Sequence, residues 1–200
     1  CSGRMKDSGV KRWSALIVAV AIIVAALYIM VRPAADKPGI GENQPSAQPK
    51  TYMNAKYGIE FSYPDMYVLA EQDIGNTAER DHHAIAIIRA EDAAHPPVNG
   101  EGPTAITIDI YGDGNDAQTP EQWIRNTSAS NFKLTADGVF ATTTVAGVPA
   151  FAYTWDGLYR GDSVVFAHNA HIFMASVTYI DSAAVIRDDF AGLLASTVFR

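Results

Sequence analysis

Two hundred residues carrying 15 basic side chains, 22 acidic ones and a single cysteine, Cys1, exclude a disulfide framework and any zinc site built on paired thiolates. The charge is divided along the chain. Residues 1–50 hold seven basic and three acidic side chains, a net of +4, whereas residues 51–200 hold eight and nineteen, a net of −11. A region that acidic repels phosphate backbones, so nucleic acid is not an expected partner.

The first twelve residues form a short basic segment with Arg4, Lys6, Lys11 and Arg12. It leads into Trp13–Val31, WSALIVAVAIIVAALYIMV, nineteen residues without a charge. As a helix this run spans about 28 Å, close to the ~30 Å hydrocarbon core of a bilayer. Trp13 and Tyr28 stand near its ends, where amphipathic rings favour the membrane interface. The run is longer than the apolar region of a cleaved signal peptide, and Ile29-Met30-Val31-Arg32-Pro33 offers no small-x-small cleavage site. The expectation is a retained, single-pass signal anchor. The basic flank before it places the N-terminus in the cytoplasm and the remainder outside, in the periplasm or at the cell surface. Residues 32–50, RPAADKPGIGENQPSAQPK, contain four prolines and two glycines and read as a flexible tether.

Residues 51–200 then take on the pattern of one α+β domain. Tyr57-Gly-Ile-Glu-Phe-Ser-Tyr-Pro64 alternates apolar and polar residues and stops at proline, as an edge strand does. His83–Arg89 is a more continuous apolar run, and Ala105–Tyr111 puts Ile106, Ile108 and Ile110 on one face. Thr119, Pro120 and Gln122 predict a capped helix that runs through Trp123 and Ile124 and ends near Asn131. Ala150–Trp155 follows as a strand with Phe151, Tyr153 and Trp155 on one side. Gly161–His168 and His171–Tyr179 make a hairpin across Asn169-Ala170. The chain closes on a helix capped by Asp181 or Ser182, with Ile186, Phe190, Leu193 and Leu194 at helical spacing. Short hairpin links and segregated helices predict an antiparallel sheet.

Four of these signposts together resemble the PsbP-like fold: the Tyr57–Pro64 opening, the helix start Pro120-Glu-Gln-Trp123, Val145-Ala-Gly-Val-Pro-Ala150 ahead of an aromatic strand, and the hairpin around His168-Asn-Ala-His171. The resemblance covers about residues 52–200. Tyr67 stands where bacterial copies often carry tryptophan. It implies an antiparallel β-sheet flanked by helices, an α/β/α sandwich, set behind one transmembrane helix. It also implies kinship with proteins that act by binding or assembly.

The remaining candidates are individual side chains. Asp109, Asp113 and Asp116 surround Gly112, Gly114 and Asn115, a loop rich in oxygen ligands but without the alternation or distal glutamate of a calcium loop. His82 and His83 are adjacent on a strand and must point to opposite faces, and His168 and His171 flank a turn. No motif sets a nucleophile beside a base, and Ser163 and Ser176 sit inside strand patterns. The sequence therefore assigns no catalytic residue, cofactor or metal, with His82, Asp109, Asp113 and Asp116 as the weak metal candidates. The expected function is a monomeric, non-catalytic module that is held in the membrane by residues 13–31 and binds or positions an envelope or surface protein. The alternatives are a hydrolase or metal-dependent enzyme built on His82, Asp109 and Asp113, and a sensor domain with a small-ligand pocket.

Overall fold

A computed structural model describes residues 48–74, 81–96, 102–112 and 118–200. The expected membrane span over 13–31 and most of the tether lie outside the described residues. Among the described residues no helix is long and apolar enough to cross a membrane.

The Tyr57–Pro64 signature is a strand, β2 (Ile59–Tyr63), whose Ile59 and Phe61 are buried. It pairs antiparallel with β1 (Lys50–Asn54), Tyr52 lying opposite Phe61. β1 thus begins at Lys50, the last residue of the segment that the sequence reads as a tether. The chain terminus returns as β10 (Val198–Phe199) on the other side of β2, giving a three-stranded sheet in the order β1-β2-β10.

The remaining strands build a larger sheet. They are β3 (Tyr67–Asp73), β4 (His82–Arg89), β5 (Ile106–Tyr111), β6 (Ala141–Val145), β7 (Val148–Asp156), β8 (Arg160–His168) and β9 (His171–Tyr179). Their order is β3-β4-β5-β9-β8-β7-β6, and every pairing is antiparallel. Two of the turns follow from local chemistry. Asn169 and Ala170, and likewise Ala146 and Gly147, all have positive φ, which is what a two-residue hairpin demands of its central pair.

Period-two alternation sorts the side chains to the two faces. Ile85 and Ile87, the triplet Ile106, Ile108 and Ile110, and Phe173, Ala175 and Val177 point to one face. There the three-stranded sheet and the last helix, α3 (Val185–Ser196), cover them with Tyr57, Ile59, Phe61, Ile186, Phe190 and Leu193. On the other face Tyr153, Trp155, Val165, Ile172 and Met174 pack under Trp123 and Ile124 of α2 (Pro120–Asn126) and Phe132 of a 3₁₀ turn (Phe132–Leu134). A short α1 (Ala90–Ala94) covers Ala86 and Ile88 beside it. Helices therefore flank the sheet on both faces, as expected of an α+β sandwich.

Helix boundaries differ from the sequence reading for local reasons. The capping box at Thr119 and Gln122 is present, but α2 ends at Asn126, five residues short of Asn131. Thr127 is extended, and the Ser130 hydroxyl donates to the Ile124 carbonyl at 2.7 Å, ending the helix with a side chain. At α3 neither Asp181 nor Ser182 is the cap. Asp181 instead organises the preceding turn by accepting from the Ala183 and Ala184 amides, and the helix starts at Val185.

Candidate functional site

A polar cluster lies where one corner of the large sheet meets β1 and the β1–β2 turn. Strands β3 and β4 pair with Asp73 opposite His83 and Glu71 opposite Ile85, so residues 71, 73 and 83 share the face covered by the small sheet. His83 is 7% exposed. Its Nδ1 lies 2.8 Å from an Asp73 oxygen and its Nε2 lies 3.3 Å from a Glu71 oxygen. A neutral imidazole carries one N–H, so only the protonated ring donates to both carboxylates at once. Glu71 also accepts from the Tyr52 hydroxyl of β1, which in turn accepts from the Asn54 amide at 3.0 Å. Burial, and then the bond to Glu71, pushes the Tyr52 hydroxyl well above its ordinary range, so it stays a donor.

The same corner is closed by aromatic contacts. Tyr57 is buried between His83 and His171, with ring centroids 5.0 and 5.3 Å away. The Lys56 ammonium reaches the Tyr57 hydroxyl at 2.7 Å and Asp81 at 3.5 Å.

His82 points through the sheet to the opposite face, as adjacency on a strand requires. Its Nε2 lies 2.8 Å from Asp109, and its ring stacks on Tyr111 at 4.4 Å. Tyr111 meets Trp123 of α2, and burial raises its hydroxyl far above the usual range. Two of the four weak metal candidates, His82 and Asp109, are thus brought together at hydrogen-bond distance. The other two, Asp113 and Asp116, lie outside the described residues. Among the described residues no group of three His, Cys, Asp or Glu side chains is placed to hold a metal ion.

The other candidates resolve individually. His168 stacks on Phe199 of β10 at 4.0 Å, and its Nε2 is buried without a hydrogen-bond partner. Burial, aided by neighbouring His171, lowers its basicity. Ser163 and Ser176 bond one another at 2.8 Å, and Ser163 accepts from the Trp155 indole at 2.9 Å. They are a polar thread in the core with no base beside them. Tyr153 and Trp155 are core residues, and half-buried Phe151 packs against the same cluster. The adjacent carboxylates Asp188 and Asp189 of α3 have different surroundings. Asp188 is exposed, whereas Asp189 accepts from buried Tyr67 at 2.5 Å, and that hydroxyl is pushed up to about 12 by burial and by the bond.

Sequence reasoning missed Tyr52, Glu71 and Asp73, the residues that complete the His83 cluster. The available signal was the spacing Glu71-x-Asp73, which puts both carboxylates on one face once 67–73 is read as a strand. It missed equally the anchor of α3, where Arg187 bonds Asp162 at 2.8 Å while Asp162 accepts from Thr154 and Tyr179.

No protein-family model and no curated protein sequence matches this chain. Solved structures do resemble it. The solution structure of cyanobacterial PsbP (CyanoP) from Synechocystis sp. PCC 6803 aligns with a TM-score of 0.50 and 12% identity, over 82% of this chain and 98% of that one. A crystal structure from Bacteroides thetaiotaomicron VPI-5482 aligns with a TM-score of 0.44 and 8% identity, over 76% of this chain. The present chain spans about half, 48%, of the length of the Bacteroides protein. The fold is PsbP-like, and identities this low speak to the fold alone.

Proposed function

We propose that the chain is a membrane-held binding or assembly module whose PsbP-like domain works outside the cytoplasm without catalysing a reaction. The observation that carries this reading is where the polar groups at the corner point. His83 faces Asp73 and Glu71, Glu71 holds Tyr52, and Lys56 holds Tyr57 and Asp81. On the other face His82 is held by Asp109. These contacts tie β1, the β1–β2 turn, β3, β4 and β5 to one another, which is the work of a clamp. A general base must instead reach a substrate proton at hydrogen-bond distance.

The membrane part of the proposal rests on the uncharged Trp13–Val31 run and its basic leading flank. A tether of about nineteen residues gives the domain lateral reach of roughly 20–25 Å, and holding it at a surface raises its effective concentration toward a partner in the same membrane. A net charge of −11 over residues 51–200 suits a basic partner patch and makes association salt-sensitive.

Crosslinking of the full chain in its native membrane, followed by mass spectrometry, tests this. A discrete partner set that weakens with salt is expected. Replacing His82, His83, Asp109 and Asp113 together by Ala or Asn separates the enzyme reading. Loss of a measurable turnover with partner capture intact would establish catalysis in place of binding.

A further inference from the structure

Resting on the binding reading above, we propose that the free edge of β6 and the groove beside it accept an extended segment of a partner protein, one that is uncharged or basic and adds itself as an eighth strand. The two edges of the large sheet are treated very differently. At the β3 edge Glu71 and Asp73 supply charge, and the Lys50 ammonium bonds the Tyr67 carbonyl at 2.9 Å and the Asp65 carbonyl at 2.8 Å. Charges and a lysine laid on the outer carbonyls are a common protection against strand addition. The β6 edge, Ala-Thr-Thr-Thr-Val, has no charge, no proline and no covering element among the described residues, and Ala141 to Thr144 are all exposed.

The register shows which backbone groups are on offer. Val145 and Val148 flank the two-residue turn and are direct partners, so they exchange both hydrogen bonds of a narrow pair. Alternation then makes Thr143–Ala150 and Ala141–Ala152 the bonded pairs, and leaves Thr142–Phe151 and Thr144–Pro149 as the non-bonded ones. The N–H and C=O of Thr142 and Thr144 therefore point away from β7, toward where a further strand would lie.

Beside this edge, on the face shared with α3, runs an open groove of about 460 Å³ lined by Thr143, Val145, Ala152, Val164, Ala191 and Leu194. A strand added antiparallel to β6 sends every second side chain to that face, so one aliphatic residue of the partner reaches the groove while the backbone bonds Thr142 and Thr144. The occupant follows from charge. A second copy would bring together two regions of net −11, which disfavours self-pairing. The chain's own tether has four prolines in residues 32–50 and lacks the regular donors a pairing strand needs. A foreign segment without acidic residues meets neither obstacle.

The test uses the full chain in detergent micelles and two fluorescent nonapeptides of alternating Val and Thr, one flanked by lysines and one by glutamates. The lysine-flanked peptide should bind, and the glutamate-flanked one should bind at least about tenfold more weakly. Thr144→Pro deletes an outward N–H without touching a β6–β7 bond and should reduce binding about tenfold or more. Thr144→Lys, which keeps the backbone, guards against misfolding of the proline variant and should weaken the lysine-flanked peptide. Thr144→Val should leave binding intact, because it keeps the outward N–H and C=O. Failure of the wild type to bind either peptide, equal binding by Thr144→Pro, or a dimer that Thr144→Pro dissolves would each overturn the proposal. Partner crosslinks that persist in Thr144→Pro would reject the β6 edge while leaving the binding reading standing, whereas a wild type without any crosslinked partner would reject that reading itself.

Discussion

Gly161 is the position at which the smallest chemical change should have a large consequence. It is the direct cross-strand partner of Trp155, and a Cβ placed on it would lie 2.3 Å from the indole Cζ2 and 2.4 Å from Cε2. The indole packs against the glycine, is 8% exposed, and donates to the Ser163 hydroxyl at 2.9 Å. Gly161→Ala must therefore push the ring by roughly 1 Å to reach ordinary contact distance, which removes the hydrogen bond and strains the packing. Overpacking of this kind typically costs about 1–3 kcal/mol, and the lost bond about 1 kcal/mol. Against that stands the backbone entropy of glycine, about 0.5–1 kcal/mol in favour of alanine within a strand. The clash wins, with a net destabilisation of about 1–3.5 kcal/mol, or about 2–14 °C for a domain of this size.

A double-mutant cycle makes the reasoning refutable. Trp155→Ala alone should cost about 3–5 kcal/mol, because it empties a buried site. In that background Gly161→Ala should be neutral or slightly stabilising, since the atom it met is gone and the entropy gain remains. Urea denaturation followed by far-UV circular dichroism gives all four corners. Equal destabilisation by Gly161→Ala with and without the indole would mean that strand geometry, not the ring, requires glycine at 161.

Other perturbations have defined signs. His168→Phe keeps the stack on Phe199 and removes a buried nitrogen that has no partner. Because burial lowers the basicity of His168 in the folded state, its contribution is present above about pH 6.5 and is lost as pH falls below that value; the variant should lose less stability than wild type in acid melts. His83→Ala should cost about 1–3 kcal/mol by leaving Asp73 and Glu71 facing each other without a donor between them, and a change under about 0.5 kcal/mol would show that the corner is not a clamp. Arg187→Ala should loosen the start of α3, which lacks a side-chain cap, by about 1–2 kcal/mol, seen as faster amide exchange over residues 185–190. Protease added to spheroplasts should release the domain by cutting within 32–49, and complete protection until lysis would reverse the proposed orientation.

Much of the architecture was legible because alternation is a strong signal where one face is apolar. Ile106, Ile108 and Ile110 identify β5 without help, and Asn169-Ala170 announces its hairpin. The strands that escaped notice are those whose apolar content is low for a physical reason. β6 is an exposed edge of threonines and β1 an exposed edge with Lys50, so neither needs a buried face. β3 places exposed Glu71 and Asp73 on the same side as Tyr67 and Leu69, which erases the alternation that marks a half-buried strand. The α2 terminus differs because Ser130 ends it from outside the helix, through a side-chain bond to a carbonyl six residues earlier that helical spacing does not signal.

The histidines show why a constellation was harder to read than a fold. Strand geometry alone separates His82 from His83, and the structure places them on opposite faces with different carboxylates. What sequence could not supply was the identity of those carboxylates. Asp109 is 27 residues from His82, and Glu71 lies 12 residues from His83 across a β3–β4 register that only packing fixes. That register is itself enforced by the core. Slipping β3 by one residue would turn Tyr67 and Leu69 away from the buried face, and would carry Glu71 and Asp73 with them. The apolar half of β3 thus fixes where its acidic half lands. Glu71 of that acidic half in turn accepts from Tyr52 of β1, so a polar contact between the two sheets is held in place by an apolar one. Substituting Leu69 by a polar residue should accordingly weaken the docking of β1 as well as β3, with amide protection lost in both strands together. Loss confined to β3 would show that the small sheet stands on Ile59 and Phe61 alone.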